Sequence, residues 1–201
     1  MDQWPSLSLP TLPKDLARFC LDCERNLRAL GLSHTHLLLA LSGGADSTAL
    51  ACLLHVLRQR LSLTLSALLC DHGLRKEVSE EIEGVRRLTR WLSIPLSVCT
   101  LDVTGRVQKT NEGFEEAGRK ERYKALEKER KRLGASFIVT AHQADDLAED
   151  ILMRLCRGTG WPGLGGMPAL DAKRHLVRPL LDIPAKRLRF FLKRLDIPWF
   201  E

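Results

Sequence analysis

No stretch of the 201-residue chain stays apolar long enough to cross a bilayer, and the opening MDQWPSLSLPTLPKD has no basic head followed by an apolar core. These absences argue against a membrane partner and against secretion, and they make a cytoplasmic protein the expectation. Internal repeats and long disordered runs are also missing, so a packed core is expected. A second C-x-x-C is absent and no His pair completes a zinc set. Cys20-Leu21-Asp22-Cys23, inside a helical pattern from Asp15 to Leu30, therefore reads as part of a helix. The six cysteines lie mostly in apolar stretches, as expected of reduced structural thiols.

What is present is an ordinary apolar fraction of 44% and a modest basic excess, 31 Lys and Arg against 25 Asp and Glu. Length and composition predict one main domain. The charge suits a polyanionic partner but would equally suit a merely soluble protein.

Strand and helix patterns alternate through the body of the chain. Strands are predicted at 37–41, 63–70, 96–101 and 136–140, and helices at 47–60, 79–92, 114–133 and 144–156. A glycine-dense loop over 157–167, a strand-like 175–177 and an amphipathic helix over 184–195 follow. The fold class expected is α/β, a mostly parallel sheet with helices on both faces. In such folds ligands bind beyond the strand C-termini. Residues 1–36 are expected to form an irregular segment and a helix ahead of a catalytic domain over 37–201.

The first strand runs into Ser42-Gly43-Gly44-Ala45-Asp46-Ser47 at the start of a helix. Two glycines there could serve close strand-to-helix packing alone. The hydroxyls of Ser42 and Ser47 and the carboxylate of Asp46 say more, because backbone N–H groups at a helix start attract phosphate while Asp46 would repel it unless a cation lies between. Mg²⁺ is the natural cation, since it binds through one or two carboxylates plus substrate phosphates. The segment lacks the G-x-x-x-x-G-K-[ST] spacing and lysine of a Walker-type loop.

Three further groups fall at the same predicted sheet edge. Asp71, His72 and Arg75 follow the second strand, as an ordinary turn or as a wall of a nucleotide pocket, with His72 either bonding locally or meeting substrate. The fourth strand ends in Thr140-Ala141-His142-Gln143-Ala144-Asp145-Asp146-Leu147-Ala148-Glu149-Asp150, where helix capping explains one carboxylate but not four acids and a histidine. Asp145 is the expected second carboxylate for the cation, and His142 a substrate contact or orienting group. The charged helix opened by Asn111 to Tyr123 should hold acid-to-base pairs such as Glu115 with Arg119, while Arg119 and Arg122 near its start suit phosphate recognition.

The ordered set SGGADS, DHGLR, GFEEAGRKERY, TAHQADDLAED, RLCRGTG-x-x-GLGGM and RPLL resembles the N-terminal catalytic domain of the tRNA(Ile)-lysidine synthetases. These belong to the PP-loop superfamily of N-type ATP pyrophosphatases, whose fold is Rossmann-like, of the adenine nucleotide alpha hydrolase type. The resemblance implies ATP-dependent adenylation of the wobble cytidine of a tRNA(Ile) bearing a CAU anticodon, followed by attack of free L-lysine. It makes Ser42, Gly43, Gly44, Ala45, Asp46, Ser47, Asp71 and His72 the ATP-binding residues, Asp46 and Asp145 the Mg²⁺ ligands, and Asp46, Asp145, Arg119 and His142 the catalytic set. Arg157 and its glycine loop should lie close to the site, Arg178 is either an RNA contact or a surface residue, and a homodimer is one expected state. Another tRNA-modifying member, such as a 2-thiolase, and a non-catalytic nucleotide- or RNA-binding domain are the alternatives. Gly118 and Asp150 stand where the family usually has alanine and threonine.

Overall fold

The computed structural model describes residues 4, 6–71, 78–110 and 112–200. Strand β1 (His36–Ala40) buries Leu37 and Leu39 toward one side and Leu38 toward the other, so helices must cover both faces of the sheet it enters. It is joined by β2 (Thr64–Asp71), β3 (Leu96–Thr100), β4 (Phe137–Val139), β5 (Leu170–Asp171) and β6 (Leu176–Val177). The order is β3-β2-β1-β4-β6-β5, parallel throughout except for the antiparallel β5–β6 pair.

Seven helices run along the described chain: α1 (Lys14–Ala29), α2 (Ala45–Leu57), α3 (Val78–Trp91), α4 (Val103–Thr110), α5 (Phe114–Leu133), α6 (Ala144–Cys156) and α7 (Ala185–Arg194). On one face Leu37, Leu39, Leu65, Ala67 and Val139 meet Phe19 of α1, Leu50 and Leu54 of α2, Val85 and Leu88 of α3 and Phe191 of α7. The N-terminal helix is thus part of the main core. On the other face Leu38, Leu68, Ile138 and Leu176 meet Leu126 of α5.

Helix α5 occupies the expected residues and stops at Gly134, whose φ of 64° suits a residue without Cβ; its N–H donates to the Arg130 and Lys131 carbonyls. Helix α4 and strand β5 were not expected. The α4 sequence VTGRVQKT has poor intrinsic helix propensity. Tertiary contacts supply what propensity lacks. Val103 is buried, the Asp102 carboxylate accepts the Gly105 N–H at 2.9 Å, and Arg106 pairs with Glu112 at 3.0 Å and Glu121 at 2.9 Å.

Cys20, Cys23 and Cys52 are buried as expected, and burial pushes the Cys20 thiol up to about 12. Cys156 is exposed instead, on the outer surface of α6, and Cys70 and Cys99 are half-buried cross-strand neighbours with sulfurs 3.6 Å apart.

Candidate active site

The sheet changes direction between β1 and β4: β2 and β3 lie to one side of β1, and β4, β6 and β5 to the other. Chains leaving β1 and β4 therefore diverge to opposite sides and leave a crevice at their C-terminal ends. The loop after β1 and the start of α6 after β4 both open there.

In the first loop Gly43 takes a φ of 84°, and Gly44 is the N-cap of α2. The Ser42 and Ser47 hydroxyls lie 3.0 Å apart, and Ser47 Oγ donates to the Gly44 carbonyl at 3.1 Å. Ser42 Oγ accepts the Gly44 N–H at 3.4 Å, and Thr48 Oγ1 donates to the Gly43 carbonyl at 3.3 Å. The result is a short cradle at the positive end of a 13-residue helix, with two hydroxyls on its rim.

Asp46 sits in the first turn of α2. Its Oδ1 is buried with no hydrogen-bond partner among the described residues. Burial raises its carboxyl above the ordinary range, the charges of Asp146 and Asp145 push the same way, and Arg189 of α7 opposes them. Asp46 of α2 thus feels the charges of two carboxylates at the start of α6, Asp146 more strongly than Asp145.

The acids at the start of α6 have separate tasks. The Gln143 side chain accepts the Asp145 N–H, while Asp146 Oδ2 accepts the Gln143 N–H at 2.9 Å, a reciprocal cap. Asp146 is therefore the capping carboxylate, and the exposed Asp145 is free of that duty. Asp150 pairs with Arg154 at 2.8 Å, and Arg154 also donates to the Gly163 carbonyl at 2.9 Å. That ties the glycine loop to α6. Gly166 closes the loop so tightly against Leu147 that an added Cβ would stand 2.6 Å from Leu147 Cδ1, so the loop returns toward the start of α6.

His142 donates to or accepts from Thr140 Oγ1 at 2.8 Å through Nδ1. Burial first, then the positive charges of Arg178, Arg119 and Arg122, hold it below its ordinary range against the pull of Asp146. The charges of Arg119 and Arg122 of α5 and of Arg178 after β6 thus all reach one histidine. Arg178 is 3% exposed; its Nη1 donates to the Pro168 carbonyl at 2.8 Å, and among the described residues its Nε has no partner. It is a buried cation at the site, which excludes the surface-residue reading.

The pairing expected of Glu115 with Arg119 is not formed. Lys120 takes Glu112 at 2.6 Å and Glu116 at 3.4 Å, and Arg119 lies 5.9 Å over the Tyr123 ring. Among the described residues Arg119 thus has no carboxylate partner, and its charge reaches His142. Asp71 ends β2 at the same sheet edge, its carbonyl accepting the Leu101 N–H at 2.8 Å. His72 and Arg75 lie outside the described residues. Arg189 was missed by sequence reasoning because only the packing of α7 on α2 brings it to Asp46.

Comparison with known proteins gives this geometry relatives. The chain is 50% identical over 171 residues to the tRNA(Ile)-lysidine synthase of Nitratidesulfovibrio vulgaris, covering 85% of this chain and 49% of that protein. It is 44% identical to the enzyme of the same name from Rhodopseudomonas palustris, covering 76% of this chain and 44% of that one. The chain thus spans about half the length of these curated relatives. Among solved structures, the U34-tRNA thiolase NcsA from Methanococcus maripaludis with its 4Fe-4S cluster superposes with a TM-score of 0.75 at 18% identity, covering 92% of this chain and 66% of that one. The NH3-dependent NAD synthetase of Campylobacter jejuni does so at 0.63 and 16%, covering 92% and 75%. At those identities the likeness is one of fold. The PP-loop domain profile matches residues 18–201, and with its glycine cradle at the head of α2 the chain belongs to the PP-loop domain family.

Proposed function

We propose that the chain is the catalytic portion of a carbon–nitrogen ligase, a tRNA(Ile)-lysidine synthetase acting in the cytoplasm on ATP, free L-lysine and a tRNA with a CAU anticodon. The observation that carries the reading is the buried Oδ1 of Asp46, unpartnered among the described residues and under the charges of Asp145 and Asp146, beside the glycine cradle. An acceptor left unmet at the rim of an anion site fits a cation held between carboxylate and phosphate.

Among the described residues no three His, Cys, Asp or Glu side chains close into a metal cage. A pair of carboxylates fits Mg²⁺ whose remaining ligands are phosphate oxygens and water. Asp46 and Asp145 would hold it, with Asp146 adding negative potential from its capping position. Mg²⁺ bound there supplies positive charge that stabilises a departing pyrophosphate.

The chain's own groups would do the rest. The N–H groups at the start of α2 and the Ser42 and Ser47 hydroxyls, now bonded to each other, turn to phosphate oxygens. The cytosine O2 attacks the α-phosphorus, the bond to the bridging oxygen of the β-phosphate breaks, and pyrophosphate leaves. The lysine ε-amine then bonds to C2, the C2–O2 bond breaks and AMP departs with its electron pair. Arg119, Arg122 and Arg178 offset phosphate charge along one wall. His142, kept neutral by burial and those arginines, is suited to take the proton that the amine loses.

The test is incubation of the chain with ATP, Mg²⁺, radiolabelled lysine and a CAU-anticodon tRNA, beside a GAU control. Label in the CAU tRNA alone is the expected result. Pyrophosphate release without lysine label, and sulfur in the tRNA once sulfide is added as donor, would favour a 2-thiolase, and nucleotide binding without turnover a non-catalytic domain.

A further inference from the structure

The back of the glycine cradle is held by a segment far away in sequence. After α7 the chain passes Ile197 and returns to lie beside the loop, where Phe200 forms a parallel bridge with Gly44 and its N–H donates to the Gly43 carbonyl at 3.0 Å. The same carbonyl accepts Thr48 Oγ1 at 3.3 Å. In a trans peptide the C=O and the following N–H point in opposite directions. Two donors holding the Gly43 carbonyl from behind therefore aim the Gly44 N–H forward into the crevice, where, among the described residues, only the long 3.4 Å contact to Ser42 Oγ meets it.

The Phe200 ring reinforces this. It lies against Gly84 in the middle of α3, where an added Cβ would come within 2.2 Å of Cζ and 2.3 Å of Cε2. A Cβ on Gly43 would meet Val85 Cγ2 at 3.0 Å and the same ring at 3.2 Å. Loop, α3 and ring thus form a close stack, bordered by a cavity of about 180 Å³ that Trp4, Leu88 and Trp199 help to line. Gly84 costs α3 about 1 kcal/mol relative to alanine, and the ring accounts for its presence: no other residue leaves room.

We propose that Phe200 is a positioning residue for the phosphate cradle, locking the Gly43–Gly44 peptide through its N–H and, by seating its ring on Gly84, holding that N–H in place. This rests on the loop being the ATP site. Phe200 touches no substrate in this account; it acts through the Gly43–Gly44 peptide.

Two measurements test it. Amide hydrogen exchange on the ligand-free chain should show the Thr48 N–H, bonded to the Gly44 carbonyl, and the residue-200 N–H, bonded to the Gly43 carbonyl, exchanging about five- to ten-fold faster in Phe200→Ala, the cost of loosening one hydrogen-bonded contact, with β1 and β4 unchanged. Gly84→Ala should produce the same local loosening by displacing the ring. In the Phe200→Ala background it should add less than about two-fold, since the clash has gone. Unchanged loop exchange in Phe200→Ala, or additive effects in the double variant, would overturn the proposal. Titration with Mg·ATP separates the premise: wild type should bind, with affinity about ten-fold weaker in Phe200→Ala. Failure of wild type to bind would remove the ATP reading and with it a role in catalysis, while equal affinity in both proteins would overturn the positioning role alone.

Discussion

Among the described residues the Oδ1 atom of Asp46 has no donor, and burial together with Asp146 and Asp145 raises its carboxyl. The folded chain holds that proton more tightly than the unfolded chain, so stability falls as pH rises through the shifted range and stays lower above it. Asp46→Asn should therefore raise the thermal midpoint at neutral pH by about 1–3 °C while lowering pyrophosphate release by at least about a hundred-fold. Calorimetry checks the first, and the gap should close near pH 4. His142 has the opposite sense. Its folded-state value lies below the ordinary 6.5, as does that of His55, which is buried beside Arg58. Both contribute stability fully above 6.5 and lose it as pH falls below that value. Denaturant melts between about pH 7 and 5 should slope downward, and His142→Gln should flatten the slope.

At the scale of elements, α6 separates two acids that the sequence leaves side by side. Asp146 closes the cap on Gln143 and Asp145 does not. Asp146→Ala should cost about 1 kcal/mol of unfolding free energy. Asp145→Ala should stay within about 0.5 kcal/mol of wild type and still lower pyrophosphate release about ten-fold or more. Paired denaturation and turnover measurements would distinguish the roles; equal stability losses would overturn the assignment. Helix α5 was legible at both ends because glycines flank a long run of good helix formers. Helix α4 was not, since its stability comes from Asp102, Glu112 and Glu121, none of which lies within it.

For the whole molecule, the question is whether α1 stands apart from the sheet and the helices that cover it. Phe19 is buried in the main core, 5.7 Å from Phe191 of α7, with Arg187 4.6 Å over its ring. One cooperative unfolding transition is expected, with fluorescence and far-UV signals coincident. Phe19→Ala should lower the stability of the entire chain by about 3–5 kcal/mol. A separate early transition for the N-terminal helix would show that it is an independent unit.

Local pattern alone determined the alternation of strands and helices, the parallel sheet, the glycine cradle after β1 and the acidic start of α6. Each is written in neighbouring residues: an apolar run, two glycines before a helix, a capping side chain three positions from its partner. Only the tertiary structure decided that Arg178 is buried with an unmet Nε beside His142, that Arg189 faces Asp46, and that Phe200 closes on Gly43 and Gly84. Those relations join residues far apart in the chain. They depend on how α5 and α7 pack on the sheet and α2, and no local periodicity encodes that geometry.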